Sequence, residues 1–138
     1  MKRKYLILIG VGLLVVCSIF VLMTTSGTRP FKDLSADDIE EVTVKLLPPD
    51  IQLAVNESET EKLVEILNKV VTYQKDDSYI EYSGQAVIFT ITKTNGTQIT
   101  VNAYNPFIII DGVGYKTKYE PCEELNHLAN NLESGKEG

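Results

Sequence analysis

The sequence has few of the residues from which common catalytic and metal sites are built. Its 138 residues include no tryptophan, one histidine and two cysteines. No pair of His or Cys residues has zinc spacing, no serine lies in a G-x-S-x-G motif, and no glycine-rich phosphate loop is present. The sequence therefore predicts no catalytic residue, no metal site and no cofactor, and we expect a protein without enzymatic activity.

Charge is missing from one long segment. Leu6 to Met23 contains eighteen residues without a charge, and Lys2, Arg3 and Lys4 precede it. A helix of this length covers about 27 Å, close to the thickness of a hydrocarbon core. Basic residues on the N-terminal side favour a cytoplasmic N-terminus. We predict a single-pass protein of the cell membrane, in which residues 1–26 form a cytoplasmic basic start and a transmembrane anchor.

A cleaved secretory signal is the alternative interpretation of the same segment. Thr24, Thr25 and Ser26 are the only plausible small-residue site, directly before Gly27. Signals have an apolar region of about 7–15 residues, so the longer run here favours an anchor. Both interpretations place the rest of the chain outside the cytoplasm.

The chain after the apolar segment is acidic. It holds all 19 acidic residues but only 10 basic residues, a net charge of −9. Nucleic-acid binding needs clustered Lys and Arg, so no nucleic-acid partner is expected. The same charge disfavours a domain that lies flat on an anionic leaflet.

Hydrophobic periodicity predicts an α+β fold after the anchor. Val42, Val44 and Leu46 alternate with polar residues, as in a strand with one buried face. Further strands are expected at 50–55, 79–82, 85–94, 97–104, 106–110 and 113–116. Apolar residues at helical spacing from Leu63 to Val71 predict one main helix, capped by Asn56 or by Ser58, and Pro121 begins a second that runs to about Leu132. The prediction is an antiparallel sheet covered on one face by these helices.

The domain boundaries follow from these elements. Residues 27–34 are predicted as a short linker, 35–133 as the extracytoplasmic α+β domain and 134–138 as a frayed tail. Asn95-Gly96 and Asp111-Gly112 have the residues that type I′ hairpin turns require, because both turn positions take positive φ. The sheet face turned away from the helices, rich in Thr and Asn, is expected to be solvated or to bind a partner.

Tyrosines are the candidate binding residues. Tyr79, Tyr82, Tyr104 and Tyr115 lie at predicted strand ends, where a ring can be half buried and its hydroxyl remain in water. Tyrosine is also common at the energetic centres of protein interfaces. These four residues are our candidates for partner binding, and packing at the edge of the core is the alternative that the residue type favours.

Cys122 is a weak candidate nucleophile. It lies in the first turn of the closing helix, where the helix dipole lowers a thiol pKa. Glu120, Glu123 and Glu124 surround it with negative charge, and it shares helical spacing with Leu125 on the expected buried face. We therefore predict a buried packing residue, and a catalytic thiol is the alternative.

The order of sequence features along the chain resembles that of a known class of bacterial proteins. A basic start and a single span are followed by Phe31-Lys32-Asp33-Leu34, an acidic hairpin, a Leu-rich helix, Gly84-Gln85, the Asn95-Gly96 hairpin, Asp111-Gly112-x-x-Tyr115 and a closing helix. In this order the chain resembles uncharacterised small-domain proteins of Gram-positive bacteria that a single span holds outside the cell membrane. The resemblance implies an exported domain and brings no catalytic residues.

Three functions are compatible with the sequence. The first is a membrane-tethered extracytoplasmic interaction or sensing module, which contacts the membrane through Leu6 to Met23 and binds an envelope or extracellular protein. The second is a small inhibitor or immunity protein, whose acidic surface would meet a basic partner. The third is a thiol-dependent enzyme that uses Cys122.

Overall fold

The computed structural model describes residues 2–137 and begins with a long exposed helix. This helix, α1, spans Lys2–Ser26, and its side chains up to Val21 are exposed. The segment Lys2–Val21 is long and apolar enough to cross a membrane, although a secretory signal would have the same properties. Met1 and Gly138, the outer ends of the predicted anchor and tail, lie outside the described residues.

Seven antiparallel strands form one sheet after α1. The remaining elements, in chain order, are β1 Ile39–Leu47, β2 Ile51–Ala54, α2 Glu57–Lys69, β3 Thr72–Lys75, β4 Ala86–Lys93, β5 Gln98–Tyr104, β6 Phe107–Ile110, β7 Val113–Thr117 and α3 Tyr119–Glu137. The order across the sheet is β2-β1-β4-β5-β6-β7-β3. Strands β2 and β3 are therefore the two edges, and the predicted α+β class is confirmed.

The core lies between one face of the sheet and the two helices α2 and α3. On β4, Val87, Phe89 and Ile91 are fully buried and alternate with half-buried residues. In register with them, Phe89 pairs with Val101 and Ile91 with Ile99 on β5. Both helices add apolar residues to this cluster; they are Leu63, Ile66, Leu67, Cys122, Leu125, Leu128 and Ala129. The predicted inward positions of the β4–β5 hairpin are therefore confirmed.

Side-chain caps fix where the helical segments begin. The Asn56 side chain accepts a hydrogen bond of 2.8 Å from the backbone N–H of Glu59, so Asn56 is the N-cap of α2. Ser35 caps a single 3₁₀ turn at Ala36–Asp38 in the same way. Ser35, with Asp38 three residues on, predicts one or two helical turns to about Glu40; the observed turn is shorter, because β1 already begins at Ile39.

The two hairpin turns differ although their sequences are alike. Asp111 and Gly112 have φ of 49° and 84°, as a type I′ turn requires. At the other hairpin only Gly96 has positive φ, 86°, and its N–H donates to the carbonyl of Lys93 at 2.9 Å. Asn95 therefore does not adopt the predicted type I′ conformation; the turn is instead closed by a left-handed glycine.

The predicted linker and tail are part of the folded structure. Thr28 and Thr72 exchange two backbone hydrogen bonds of 2.8 Å, which form an antiparallel bridge at the edge of β3. Phe31 is buried in the core. At the other end, α3 starts at Tyr119, before Pro121, and continues to Glu137 through most of the stretch predicted as frayed.

Candidate functional site

The sheet has a second face on which neither α2 nor α3 packs within the described residues. We call it the open face; its residues point away from the core cluster. On β1, β4 and β5 it presents half-buried side chains, mainly Thr43, Ile88, Thr90, Thr100 and Asn102. On this face, apolar and hydroxyl groups lie next to one another and are partly accessible to solvent. Such a mixed surface is compatible with a protein contact.

A nine-residue segment crosses the open face at β6 and β7. We call residues 76–84 the strap; it contains a 3₁₀ turn at Ser78–Glu81 where the sequence predicted a strand at 79–82. That prediction is wrong because nearby carboxylates bind the backbone of the segment. Asp76 Oδ1 accepts from the N–H of Ser78 at 3.0 Å, and this local bond competes with strand pairing.

The first end of the strap is fixed to β7. Asp76 N–H donates to the carbonyl of Gly114 at 2.9 Å, and Gly114 N–H donates to Asp77 Oδ1 at 3.2 Å. Lys116 Nζ lies 3.9 Å from Asp76 Oδ2. Hydrogen bonds from Ser78, with a smaller contribution from Lys116, hold the pKa of Asp76 below its ordinary value. The strap therefore keeps its position while the Asp76 carboxylate is ionised.

Gly114 allows the strap to lie directly on the sheet. A Cβ at this position would stand 2.5 Å from the carbonyl oxygen of Asp76 and 2.7 Å from the ring of Tyr79. No side chain other than hydrogen fits between β7 and the strap without movement of one of them. Gly114 is thus a positioning residue for Tyr79, a role that its neighbours in the sequence do not indicate.

Aromatic contacts hold the middle of the strap. The ring centroids of Tyr79 and Tyr82 lie 6.4 and 5.6 Å from that of Phe107, and both ring pairs are tilted. Phe107 belongs to the open face but is buried, because the strap covers it. A Cβ on Gly84 would lie 3.2 Å from the Tyr104 hydroxyl, so Tyr104 packs at the end of the strap. Three of the four predicted tyrosines therefore meet in one place.

Tyr115 does not belong to this group. It pairs with Ile108 on the core face and packs against the core cluster, so its position agrees with the alternative of core packing. The large apolar side chains that the strap exposes are Ile80, 74% exposed, and Tyr82, 60% exposed. Ile80 was not among the predicted site residues, because a strand at 79–82 gave no reason to expect its side chain in water.

A polar cleft of about 360 Å³ lies where the strap meets α3. Asn105 forms its wall and donates to the carbonyl of Tyr119 at 3.3 Å and to Glu123 Oε2 at 3.1 Å. Its own Oδ1 is buried without a hydrogen-bond partner among the described residues. Glu123 also lies 3.5 Å from His127 Nε2, so the one histidine of the chain is an exposed neighbour of this carboxylate.

A second cleft, of about 410 Å³, lies near the opposite edge of the sheet. Five carboxylates line it, and none of them forms an ion pair with a described residue; they are Asp37, Glu40, Glu41, Glu57 and Glu61. No Lys or Arg lines the cleft. It therefore concentrates negative potential at the edge formed by β1 and β2.

Cys122 lies in the core. Its side chain is fully buried and its Sγ is 3.5 Å from the carbonyl oxygen of Phe107. Burial raises the pKa of the Cys122 thiol to about 12, and the charge of Glu123 acts in the same direction. Since the thiolate is the nucleophilic form, this environment opposes the chemistry that a thiol-dependent enzyme requires.

Within residues 2–137, no group of three or more His, Cys, Asp or Glu side chains is arranged to hold a metal ion. Comparison with protein families, with curated proteins and with solved structures finds no match to this chain. The geometry of the molecule itself is therefore the basis for a functional proposal. Its distinctive surface is the strap on the open face.

Proposed function

We propose that the protein is a membrane-tethered interaction or sensing module without catalytic activity, whose α+β domain lies outside the membrane and binds an envelope or extracellular protein. The observation that carries this proposal is the exposure of Ile80 and Tyr82 on a strap that is itself fixed to the sheet. The partner would rest on these two side chains and on the adjacent Thr-rich part of the open face.

Two properties of the strap support a binding role. Its backbone is held by hydrogen bonds to Gly114 and its rings pack on Phe107, so little conformational freedom is left to lose when a partner binds. Its exposed side chains are an aliphatic residue and a tyrosine, and tyrosine is a residue type that often dominates binding energy. Ile80 and Tyr82, held in place on the strap beside the Thr-rich part of the open face, together have the composition of a protein interface.

The tether supports a location at the membrane. Lys2, Arg3 and Lys4 lie at the start of α1, before its apolar run, and by the positive-inside rule they favour a domain on the extracytoplasmic side. A C-terminal alkaline phosphatase fusion should be active and remain in the membrane fraction. An inactive fusion would contradict the orientation, and an active fusion released from cells would show that the segment is a cleaved signal.

The partner surface is tested by purification from the native membrane. The full chain should retain a companion protein in mild detergent, and Ile80→Asp should release it, because a charge cannot be buried at an apolar contact without large cost. Glu65→Ala, at an exposed position of α2, is the matched control and should retain the companion. Equal retention by wild type and Ile80→Asp would contradict the proposed surface.

The acidic cleft favours a second candidate function, a small inhibitor or immunity protein for a basic partner. Five unpaired carboxylates around one concavity would attract a basic surface and speed its association. Binding by this cleft should weaken steeply with added salt and with the double substitution Glu40→Gln and Glu61→Gln. If binding of the partner is unaffected by salt and by the double substitution but is weakened by Ile80→Asp, the inhibitor or immunity function is excluded.

A further inference from the structure

The membrane helix joins the domain without a flexible linker. α1 ends at Ser26, and Thr28 is already hydrogen-bonded to Thr72 of β3. From Met23, where the apolar run ends, to Ser26 the helix rises about 5 Å. The headgroup layer of one leaflet is about 5–8 Å thick. A spanning α1 would therefore hold the β3 edge of the domain at the level of the lipid headgroups.

The junction itself is closely packed. Gly27 has φ of 72°, and a Cβ there would stand 2.5 Å from Val71 and 3.0 Å from the ring of Tyr73. Tyr73 is 40% exposed beside this point. Tyrosine is enriched where proteins cross the membrane–water interface, because its ring is apolar and its hydroxyl is polar. Tyr73 thus has the residue type and the position of an interfacial anchor.

Basic side chains surround the same junction. Arg29, Lys69 and Lys118 line a cleft of about 360 Å³ beside Val71. We call these three residues together with Tyr73 the junction collar. Lys118 is held there by its N–H, which donates to the carbonyl of Val71 at 3.2 Å.

Arg29 is fixed by the C-terminal end of α2. Its guanidinium donates to the carbonyl of Asn68 at 3.1 Å from Nε and at 2.5 Å from one terminal nitrogen. This carbonyl belongs to the last turn of α2, where the helix dipole favours a positive charge. The charge of Arg29 is therefore held at the junction while its side chain stays exposed.

Carboxylates only partly offset the charge of the collar. Glu124 pairs with Lys69 at 2.8 Å, and Glu120 lines the same cleft. The three basic residues thus exceed the two acidic ones, whereas the segment after the anchor has 10 basic and 19 acidic residues. The domain as a whole is acidic, but the collar carries a small excess of positive charge and so does not repel phosphate. It surrounds the point where the chain leaves the membrane.

We propose that the junction collar binds the phosphate headgroups of anionic lipids in the leaflet from which α1 emerges. Arg29 and Lys118 contact phosphate, and Tyr73 lies at the interface. Docking fixes the orientation of the domain, with the collar at the bilayer and the remaining surface available to a partner. This inference rests on the proposed tether, because it requires that α1 spans the membrane.

The absence of tryptophan from the chain allows a direct test. The full chain is placed in vesicles whose lipids carry a headgroup nitroxide, which quenches nearby tryptophan fluorescence. Tyr73→Trp reports on the collar, and Gln52→Trp reports on β2, the edge strand farthest from β3 in the sheet. Tyr119→Trp, at a 61% exposed position next to Lys118, is a second collar reporter if Tyr73→Trp does not fold.

Docking predicts strong quenching at position 73 and weak quenching at position 52, with a larger difference in anionic than in zwitterionic vesicles. Lys118→Gln should lower the ratio of docked to undocked domain about fivefold in anionic vesicles, since a basic residue near such a surface contributes about 1 kcal/mol. Lys45→Gln, on β1, should leave the ratio unchanged. Equal quenching at both positions in both lipids would overturn the proposal.

Flotation of the vesicles separates this proposal from the proposed tether. A chain that floats with vesicles but shows no collar quenching would retain the tether and overturn only the docking. A chain that does not float would overturn both. If a soluble partner protein, and not anionic lipid, shields the tryptophan reporters of the collar, the surface is a protein interface. The lipid proposal is then wrong.

Discussion

The two faces of the sheet are built from the same strands but differ in what they contact. On the core face, Phe89 and its neighbours are fully buried under α2 and α3. On the open face, Thr90 and Thr100 are only partly buried, and the strap covers Phe107. Stability therefore depends mainly on one face, and the other face leaves part of its side chains accessible.

This difference also separates the roles of the aromatic residues. Tyr115 lies on the core face and packs with the core, whereas Tyr79 and Tyr82 lie on the open face with the strap. The residue type is the same, but Tyr115 occupies an inward position of β7, whereas Tyr79 and Tyr82 reach the open face because the strap crosses it.

The largest effect should come from the core face. Phe89→Ala removes a fully buried ring and should lower the free energy of unfolding by about 3–5 kcal/mol. Thr90→Ala, on the next residue of β4 but on the open face, should cost less than about 1 kcal/mol. Denaturant titration of the full chain in micelles measures both, and equal losses would contradict the division between the faces.

The next effect concerns Cys122 and pH. The folded thiol has a pKa of about 12 against a reference value of 9.0, so it stays protonated where the unfolded thiol ionises. Stability associated with this thiol is therefore complete below about pH 9 and is lost as the pH rises toward 12. At pH 11 the wild type should have lost roughly 2–3 kcal/mol more than Cys122→Ala.

Unfolding titrations of both proteins at pH 8 and pH 11 measure this difference. Other groups titrate equally in the two proteins, so the comparison isolates Cys122. Parallel pH dependence, or rapid alkylation of the native thiol at neutral pH, would show that Cys122 is accessible and would favour the thiol-enzyme alternative.

A smaller effect is expected where the strap touches the sheet. Gly114→Ala places a methyl group against Asp76 and Tyr79, and overpacking of this kind costs about 1–3 kcal/mol. The strap should move, so that proteolysis within residues 76–84 becomes faster. Gly135→Ala is the control, because no atom lies within 4 Å of its added Cβ and alanine favours a helix. Unchanged proteolysis of Gly114→Ala would contradict the contact.

The smallest effect on stability should come from substitution of Ile80, the exposed aliphatic residue of the strap. Ile80 is 74% exposed, so Ile80→Asp should change the free energy of unfolding by less than about 0.5 kcal/mol. Its effect on partner retention should be large. A variant that unfolds would show that Ile80 contributes to the fold rather than to an interface.

Hydrophobic periodicity predicted the elements that are long and half buried. The β4–β5 hairpin and α2 were predicted correctly, because alternation of period two and spacing of three and four residues report directly on burial. The short edge strand β3 was missed. Val70 and Val71 continue the helical spacing of α2, and the residues of β3 pair with residues of β7 that lie 40 to 45 positions later, which no local pattern shows.

The candidate site was predicted less well than the core. Tyr79, Tyr82 and Tyr104 were recognised by residue type, but their meeting depends on the hydrogen bonds of Asp76 and Asp77 and on the space above Gly114. Loop geometry of this kind is fixed by long-range contacts. The predicted type I′ conformation of the Asn95-Gly96 turn was also wrong. The dipeptide allows two turn types, and the one adopted here has positive φ only at Gly96.

Site-specific photocrosslinking tests the central claim, that the open face and its strap bind the partner. A photoreactive amino acid at position 82 of the membrane-bound full chain is compared with the same group at position 65 on α2. One dominant protein adduct is expected from position 82, with its loss when Ile80→Asp is added, and no adduct is expected from position 65. Adducts of equal yield from both positions, or an adduct from position 65 alone, would contradict the claim.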